Sequence, residues 1–168
     1  LWSRGLGDVY KRQGSVASVL LEYFSMRAAS VSGTVRKLST TYKSKKNKCI
    51  IEMDPLNHHS IDSAINMINN EGGNIHAWLN IVGGFTIGDT VEGGQNEWVC
   101  MYNTNFMTTL NCCQQILPHM KHNNWGRIIN MGSQTAIKGM PLAGPYVASK
   151  VAVHSLTCLL YTSDAADE

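Results

Sequence analysis

Short apolar segments typical of β-strands alternate along this chain with segments of helical spacing, and this alternation constrains the fold most. Ile75–Val82 is a nearly continuous apolar run, as in a strand buried on both faces of a parallel sheet. Further strands are predicted at Ala29–Val35, Cys49–Met53 and Gly126–Met131. Helices are predicted at Ser15–Arg27, Ser60–Asn70, Trp98–Met120 and Pro145–Leu156. The order predicts an α/β fold with a doubly wound parallel sheet, whose ligands bind at the carboxyl ends of the strands.

The two ends of the chain are predicted not to belong to the natural protein. Asp8–Gln13 can be encoded by GATGTGTATAAGAGACAG, and the reverse complement of this DNA, read one base in, encodes Cys158–Thr162 and begins Ser163. This inverted repeat looks like a transposon end used to build sequencing libraries. We therefore expect residues 1–13 and 158–168 to be adapter-derived. Residues 14–157 are then an internal piece of a longer chain. We expect this piece to form a truncated sheet that lacks its first strand and its C-terminal strands.

Composition excludes several classes of function. The chain is 43% hydrophobic and 15% charged, which suits a globular core rather than a disordered tail. A net charge of +2 is too small to predict nucleic acid or an anionic membrane as the main partner. The five cysteines form no Cys-x-x-Cys pair, so neither a zinc site nor a disulfide framework is predicted. We expect a reduced, cytoplasmic protein with no metal site and no membrane span.

The residues that indicate chemistry lie towards the C-terminal end. Tyr146 and Lys150 are four residues apart on a predicted helix, so they share a face. An ammonium beside a phenol favours the phenolate, which suits Tyr146 to exchange a proton near neutral pH. Ser133 follows the strand Gly126–Met131 and can donate a hydrogen bond to a carbonyl oxygen. These groups suit proton transfer to an oxygen whose carbon exchanges hydride with a nicotinamide ring, although an isolated Tyr-x3-Lys is commonly a chance surface pair.

The context of these residues resembles a known family. The segment Gly126–Ser133, followed by Tyr146 and then Lys150, is similar to the short-chain dehydrogenase/reductases. The resemblance covers essentially all of residues 14–157 and implies a Rossmann-type fold that binds NAD(P). It also implies that Ser133 polarises the substrate oxygen, that Tyr146 is the acid/base, and that Lys150 also holds the nicotinamide ribose.

Other positions match the same family. Asn105 lies on the long helix, where the family's asparagine holds a water linked to the lysine; alone, it would be an ordinary polar helix residue. Asn80 and Gly83 match the family's Asn-Asn-Ala-Gly, which contacts the adenosine ribose, although Gly83-Gly84 alone would be an ordinary turn. Asp54 ends the third strand, where the family places an acid that bonds the adenine. Alternatively, Asp54 has no ligand and belongs to the turn that ends the strand.

The family's glycine-rich turn brings backbone N–H groups to the cofactor pyrophosphate at a helix N-terminus. Here Ser15 and Ala17 fall at its last two glycine positions. The second strand leads into Arg36 and has no acid at its end. An acid there would bond the ribose 2′-OH of NAD, whereas Arg36 can bond a 2′-phosphate. We predict NADP(H) as the preferred cofactor and NAD(H) as a possible one. Alternatively, Arg36 and Lys37 belong to the basic loop that follows.

The resemblance implies an NAD(P)(H)-dependent oxidoreductase that interconverts a small-molecule carbonyl and an alcohol, as a homodimer or homotetramer. The alternative is a nucleotide-binding regulatory or scaffold protein of the same fold without turnover, which the changed Ser15 and Ala17 motivate. The presence of the serine, tyrosine, lysine and asparagine together favours the enzyme. We expect residues 14–157 alone to be inactive. His154, one turn beyond Lys150, is assigned no role.

Overall fold

A computed structural model describes residues 2–3, 14–27, 30–36, 48–72, 74–88 and 94–165. In this part of the chain, helices and strands follow one another almost regularly, as the sequence predicts. The elements in chain order are β1 (Trp2–Ser3), α1 (Gly14–Ser25), β2 (Val31–Val35), β3 (Lys48–Glu52), α2 (His58–Gly72), β4 (Ala77–Asn80), α3 (Gln95–Tyr102), a π-helical segment (Asn103–Met107), α4 (Thr108–His122), β5 (Arg127–Asn130), α5 (Thr135–Lys138) and α6 (Gly144–Ala165).

All the strand pairs described are parallel. The first three strands run in the order β1-β2-β3, and β4 pairs with β5. β1 also contacts β4, so the order across the molecule is 3-2-1-4-5. Helices α2 and α3–α4 connect strands that point the same way, as parallel pairing requires. The predicted α/β fold with a parallel sheet is confirmed.

Trp2 and Ser3, which the sequence predicts to be adapter-derived, lie at the first-strand position beside β2. Trp2–Ser3 pairs with Gly33 and Thr34 of β2. An open strand edge presents unpaired N–H and C=O groups, and any extended segment within reach can satisfy them. Among the residues that the structure describes, Trp2 and Ser3 form the strand at this position.

The strands β3 and β4 are covered on both faces, and neighbouring residues of one strand point to opposite sides. Ile51 of β3 and Trp78 of β4 are buried among residues of α2 and α4. Their neighbours Ile50 and Leu79 pack instead with Leu21 of α1. Each such buried side chain stabilises the fold by roughly 1.5–3 kcal/mol. This two-sided burial is what a doubly wound sheet requires.

The segment Gly126–Met131 contains a strand, as predicted, but this strand is not buried on both faces. Ile129 is 55% exposed and Met131 is 41% exposed. No described element covers the face of β5 on which these side chains lie. The other face of β5 is different, since Ile128 packs against the core cluster of α2 and α4.

The long predicted helix Trp98–Met120 spans Gln95–His122 and is interrupted by the π-helical turn. In the described part of the chain, no helix is long and apolar enough to cross a membrane.

α6 begins with Gly144-Pro145, where a proline at the start of a helix leaves no helical hydrogen bond unmade. The helix thereby presents its first turns to the carboxyl ends of β4 and β5.

Candidate active site

Lys150 is anchored between α6 and the end of β5. Only 4% of its surface is exposed, and its Nζ donates a 2.8 Å hydrogen bond to the carbonyl oxygen of Met131. Burial disfavours the ammonium and lowers the pKa of Lys150 to about 8. Lys150 therefore lies inside the protein, fixed to the end of β5, in surroundings that disfavour its charged form.

Asn105 lies at the centre of the π-helical segment and is fully buried. Its Oδ1 accepts a 2.8 Å bond from the N–H of Gly84, and its Nδ2 donates to Gly84 O at 3.1 Å. The same Nδ2 donates to Ser149 Oγ at 2.9 Å. In turn Ser149 Oγ donates to the carbonyl oxygen of Tyr146. One amide therefore joins the loop after β4 to the first turns of α6.

Gly83 follows β4 at the point where the loop passes this pair of helices. A β-carbon at Gly83 would lie 2.9 Å from Asn105 Oδ1 and 3.4 Å from Lys150 Nζ. Because neither buried side chain can easily move, the position favours glycine. Gly83 thus lets the loop after β4 pass close to both Asn105 and Lys150.

Tyr146 lies in the first turn of α6, on the same face as Lys150. Its ring packs edge-on against Phe85, with ring centroids 4.8 Å apart and planes at 80°. The loop containing Phe85 is fixed nearby, since Gly88 N–H donates a 2.7 Å bond to Leu142 O. The sequence assigns no role to Phe85, because its contact with Tyr146 joins a loop to a helix and leaves no periodic signal.

Ser133 follows β5 and has partners on two elements. Its N–H donates to His154 Nε2 at 3.3 Å, and its Oγ lies 2.8 Å from Thr135 Oγ1. Thr135 N–H also donates to Ser133 Oγ at 3.3 Å. The sequence places Ser133 correctly after a strand, but gives no sign of the two side chains that hold it.

Asn80, predicted to lie near the cofactor, has its side chain in an interior network. Its Oδ1 accepts from Trp78 Nε1 at 2.8 Å, and its Nδ2 donates to Asn130 Oδ1 at 2.8 Å. Asn130 Nδ2 continues to Thr157 Oγ1 at 3.0 Å. The side chain of Asn80 therefore links β4 to β5 and, through Asn130, to α6. Any ligand contact at this position would come from the backbone.

The remaining predicted cofactor positions lie along the carboxyl ends of the strands. Asp54 Oδ1 accepts a 3.0 Å bond from Leu56 N–H, so part of this carboxylate stabilises the turn after β3. Arg36 is exposed directly after β2. Ala17 of α1 is buried beside Gly33 of β2, a close approach that its small side chain permits.

Ser15 and Lys37 are the remaining positions that the sequence analysis named. Ser15 is in the first turn of α1, and its side chain lies outside the described residues, as does Lys37. No three His, Cys, Asp or Glu side chains of the described part are grouped closely enough to hold a metal ion. Arg36 after β2 and Gly83 after β4 thus both lie at strand ends.

Comparisons with known proteins agree with this arrangement. A family model described as short chain dehydrogenase matches residues 15–165. The 3-ketodihydrosphingosine reductase of Bacteroides thetaiotaomicron is 33% identical over 136 residues, which are 80% of this chain and 49% of that protein. A sorbitol dehydrogenase of Cereibacter sphaeroides is 28% identical over 92% of this chain and 59% of its own length. The chain thus spans about half the length of these curated relatives.

Solved structures show the same fold. Serine dehydrogenase from Escherichia coli superposes with a TM-score of 0.79 at 22% identity, covering 88% of this chain and 70% of that one. The aldohexose dehydrogenase of Thermoplasma acidophilum gives a TM-score of 0.76 at 24% identity, covering 91% and 57% of the two chains. The predicted Rossmann-type fold is therefore confirmed.

Proposed function

Because this chain belongs to the short chain dehydrogenase family, we propose that the intact protein is an NAD(P)(H)-dependent oxidoreductase that interconverts a carbonyl and an alcohol. The observation that carries the proposal is the buried Lys150, held to the end of β5 and sharing a helix face with Tyr146. Ser133 lies on the adjoining turn. When bound, the nicotinamide supplies or accepts the hydride.

Each of these side chains has a separate task in the proposed reaction. Tyr146 gives a proton to the substrate oxygen during reduction and takes it back during oxidation. Lys150, on the same helix face as Tyr146, holds the nicotinamide ribose beside it. Ser133 donates a hydrogen bond to the same substrate oxygen. Asn105 keeps the loop after β4 and the start of α6 together, so the reacting groups stay in one place.

The residues proposed to hold the cofactor lie on α1, on α6 and at the ends of β2, β3 and β4. They are Ser15 and Ala17 at the pyrophosphate, Arg36 at the adenosine 2′-phosphate, Asp54 at the adenine, Asn80 and Gly83 at the adenosine ribose, and Tyr146 and Lys150 at the nicotinamide ribose.

We propose NADP(H) as the preferred form, since Arg36 is an exposed cation directly after β2. In the intact protein, Arg36→Asp should shift preference towards NADH, while Lys121→Asp, exposed on α4, should not. An Arg36→Asp variant that keeps its NADPH preference would contradict this assignment.

The substrate is proposed to be a small molecule that is uncharged near its carbonyl. The segment before α6, next to the Tyr146 loop, exposes Met140 and Leu142, which are 40% and 55% accessible. Such side chains favour apolar rather than charged groups. By resemblance to the family, we also propose that the intact protein is a homodimer or homotetramer.

A panel of carbonyl compounds with NADPH, assayed on the intact protein, tests the proposal. We expect turnover with at least one uncharged carbonyl. Tyr146→Phe should abolish turnover and keep NADPH binding, whereas Tyr102→Phe, on the exposed side of α3, should keep both turnover and NADPH binding. Cofactor binding without turnover of any carbonyl would favour the regulatory or scaffold alternative, which the departure from glycine at Ser15 and Ala17 motivates.

A further inference from the structure

The turn that carries Ser133 is held from two sides by side chains to which the proposed reaction gives no role. His154 Nε2 accepts the Ser133 N–H at 3.3 Å. Thr135 contacts the Ser133 hydroxyl twice, through its own hydroxyl at 2.8 Å and its N–H at 3.3 Å. One residue therefore fixes the backbone of Ser133 and the other fixes its Oγ.

The ring of His154 lies directly against the backbone at Gly132 and Ser133. A β-carbon added at Gly132 would overlap His154 Nε2, so the imidazole ring rests directly against the backbone of this turn. In this contact Nε2 of His154 is the acceptor and the backbone N–H of Ser133 is the donor. His154 is half-buried on α6, one turn beyond Lys150. The ring thus ties the Ser133 peptide to the helix that carries Tyr146 and Lys150.

The contact with Thr135 controls the direction of the Ser133 hydrogen. A hydroxyl has one hydrogen and two acceptor lone pairs. The N–H of Thr135 occupies one lone pair of Ser133 Oγ. When the hydroxyl of Thr135 donates to the other, both lone pairs are filled. The single hydrogen of Ser133 is then the only group left to bond a substrate oxygen.

We propose that His154 and Thr135 are positioning residues for Ser133. His154 sets the place of its peptide, and Thr135 fills its acceptor positions so that its hydrogen points at the substrate carbonyl. The proposal rests on the proposed function, since it assigns the Ser133 hydroxyl to the substrate oxygen. Neither residue touches the reacting atoms, so each acts only through Ser133.

The test uses paired variants of the intact protein, with kcat and KM measured for a carbonyl and NADPH. His154→Leu and Thr135→Val remove the polar groups at similar volume, and each should lower kcat on the order of tenfold. His154→Gln keeps an acceptor at similar reach, and Thr135→Ser keeps the hydroxyl. Both conservative variants should recover most of the loss. NADPH affinity and the melting temperature should stay close to those of the unaltered protein.

A second background separates positioning from a general effect on folding. In a Ser133→Ala protein, His154→Leu and Thr135→Val should cause no further loss of kcat, since the hydroxyl they orient is gone. An equal loss in that background, or unchanged kcat in the single variants, would overturn the inference while leaving the proposed function intact. If the unaltered protein transfers no hydride to any carbonyl, the proposed function fails and the inference fails with it.

Discussion

Lys150 shows how the cost of burying one charge can be measured. In the folded protein its pKa is lowered from 10.5 to about 8 by burial. Between these two values the unfolded chain binds a proton that the folded chain has released, so the free energy of unfolding rises with pH. Below pH 8 both states are protonated, and the cost is constant. Relative to Lys150→Met, the free energy of unfolding of the unaltered protein should therefore rise by ~3 kcal/mol across this window, as measured by urea unfolding.

Lys138→Met is the matched control for this experiment. Lys138 is exposed in the last turn of α5, so its removal takes away the same charge without changing burial. Its stability difference should stay nearly flat over the same range of pH. A flat profile for Lys150→Met as well would show that burial does not lower the pKa of Lys150.

Residue spacing predicts which side chains share a face, but not which partners they meet. Tyr146 and Lys150 could be paired from their separation of four residues on a helix. The acceptor of Lys150, the carbonyl of Met131, is 19 positions away in sequence and depends on how α6 crosses β5. For the same reason Asn80, placed by resemblance beside the cofactor, has its side chain between β4 and β5, hydrogen-bonded to Asn130.

Among the elements, the interrupted helix Gln95–His122 depends on one buried amide. Asn105→Leu keeps the volume of the side chain but removes the partners of Gly84 N–H and Gly84 O. Each buried backbone group left without a partner costs about 1–3 kcal/mol. We expect Asn105→Leu to lower the free energy of unfolding by about 3 kcal/mol in a urea titration. Turnover should fall as well, because the loop after β4 and α6 lose their common contact.

Gln114→Leu is the comparison for the Asn105 experiment. It removes the same kind of amide from an exposed position of α4. Its effect on the free energy of unfolding should be within about 0.5 kcal/mol. Equal effects of the two substitutions would mean that the hydrogen bonds of Asn105 contribute nothing to stability.

The elements themselves follow the sequence closely where periodicity is strong. α2 extends only two residues beyond each end of the predicted Ser60–Asn70, because its apolar positions repeat with helical spacing. The π-helical turn was missed, since one extra residue hardly changes such a pattern. α5 was missed too: Thr135–Lys138 is a single turn, too short for any periodicity. The exposure of Ile129 depends on what lies against β5, which its own sequence does not encode.

At the scale of the whole molecule, the described strands leave apolar surface that a complete domain would bury. Ile129 and Met131 of the β5 region lie largely open, and a groove of about 610 Å³ runs between α4, β5 and α6. This chain spans about half the length of the curated relatives that it matches. We therefore propose that the residues 14–157 belong to a larger natural protein. Amplifying the natural gene and sequencing outward past Gly14 and Thr157 tests the predicted boundaries.

The same reasoning predicts how the isolated polypeptide 14–157 behaves. The edge of β2 that now pairs with Trp2–Ser3 would lose its partner, and unpaired backbone groups are costly away from water. We expect this polypeptide to show no cooperative thermal transition by circular dichroism and no NADPH binding by fluorescence titration. The intact natural protein should show both. A cooperative transition together with NADPH binding in 14–157 would mean that the α/β core described here is already sufficient to fold and to hold the cofactor.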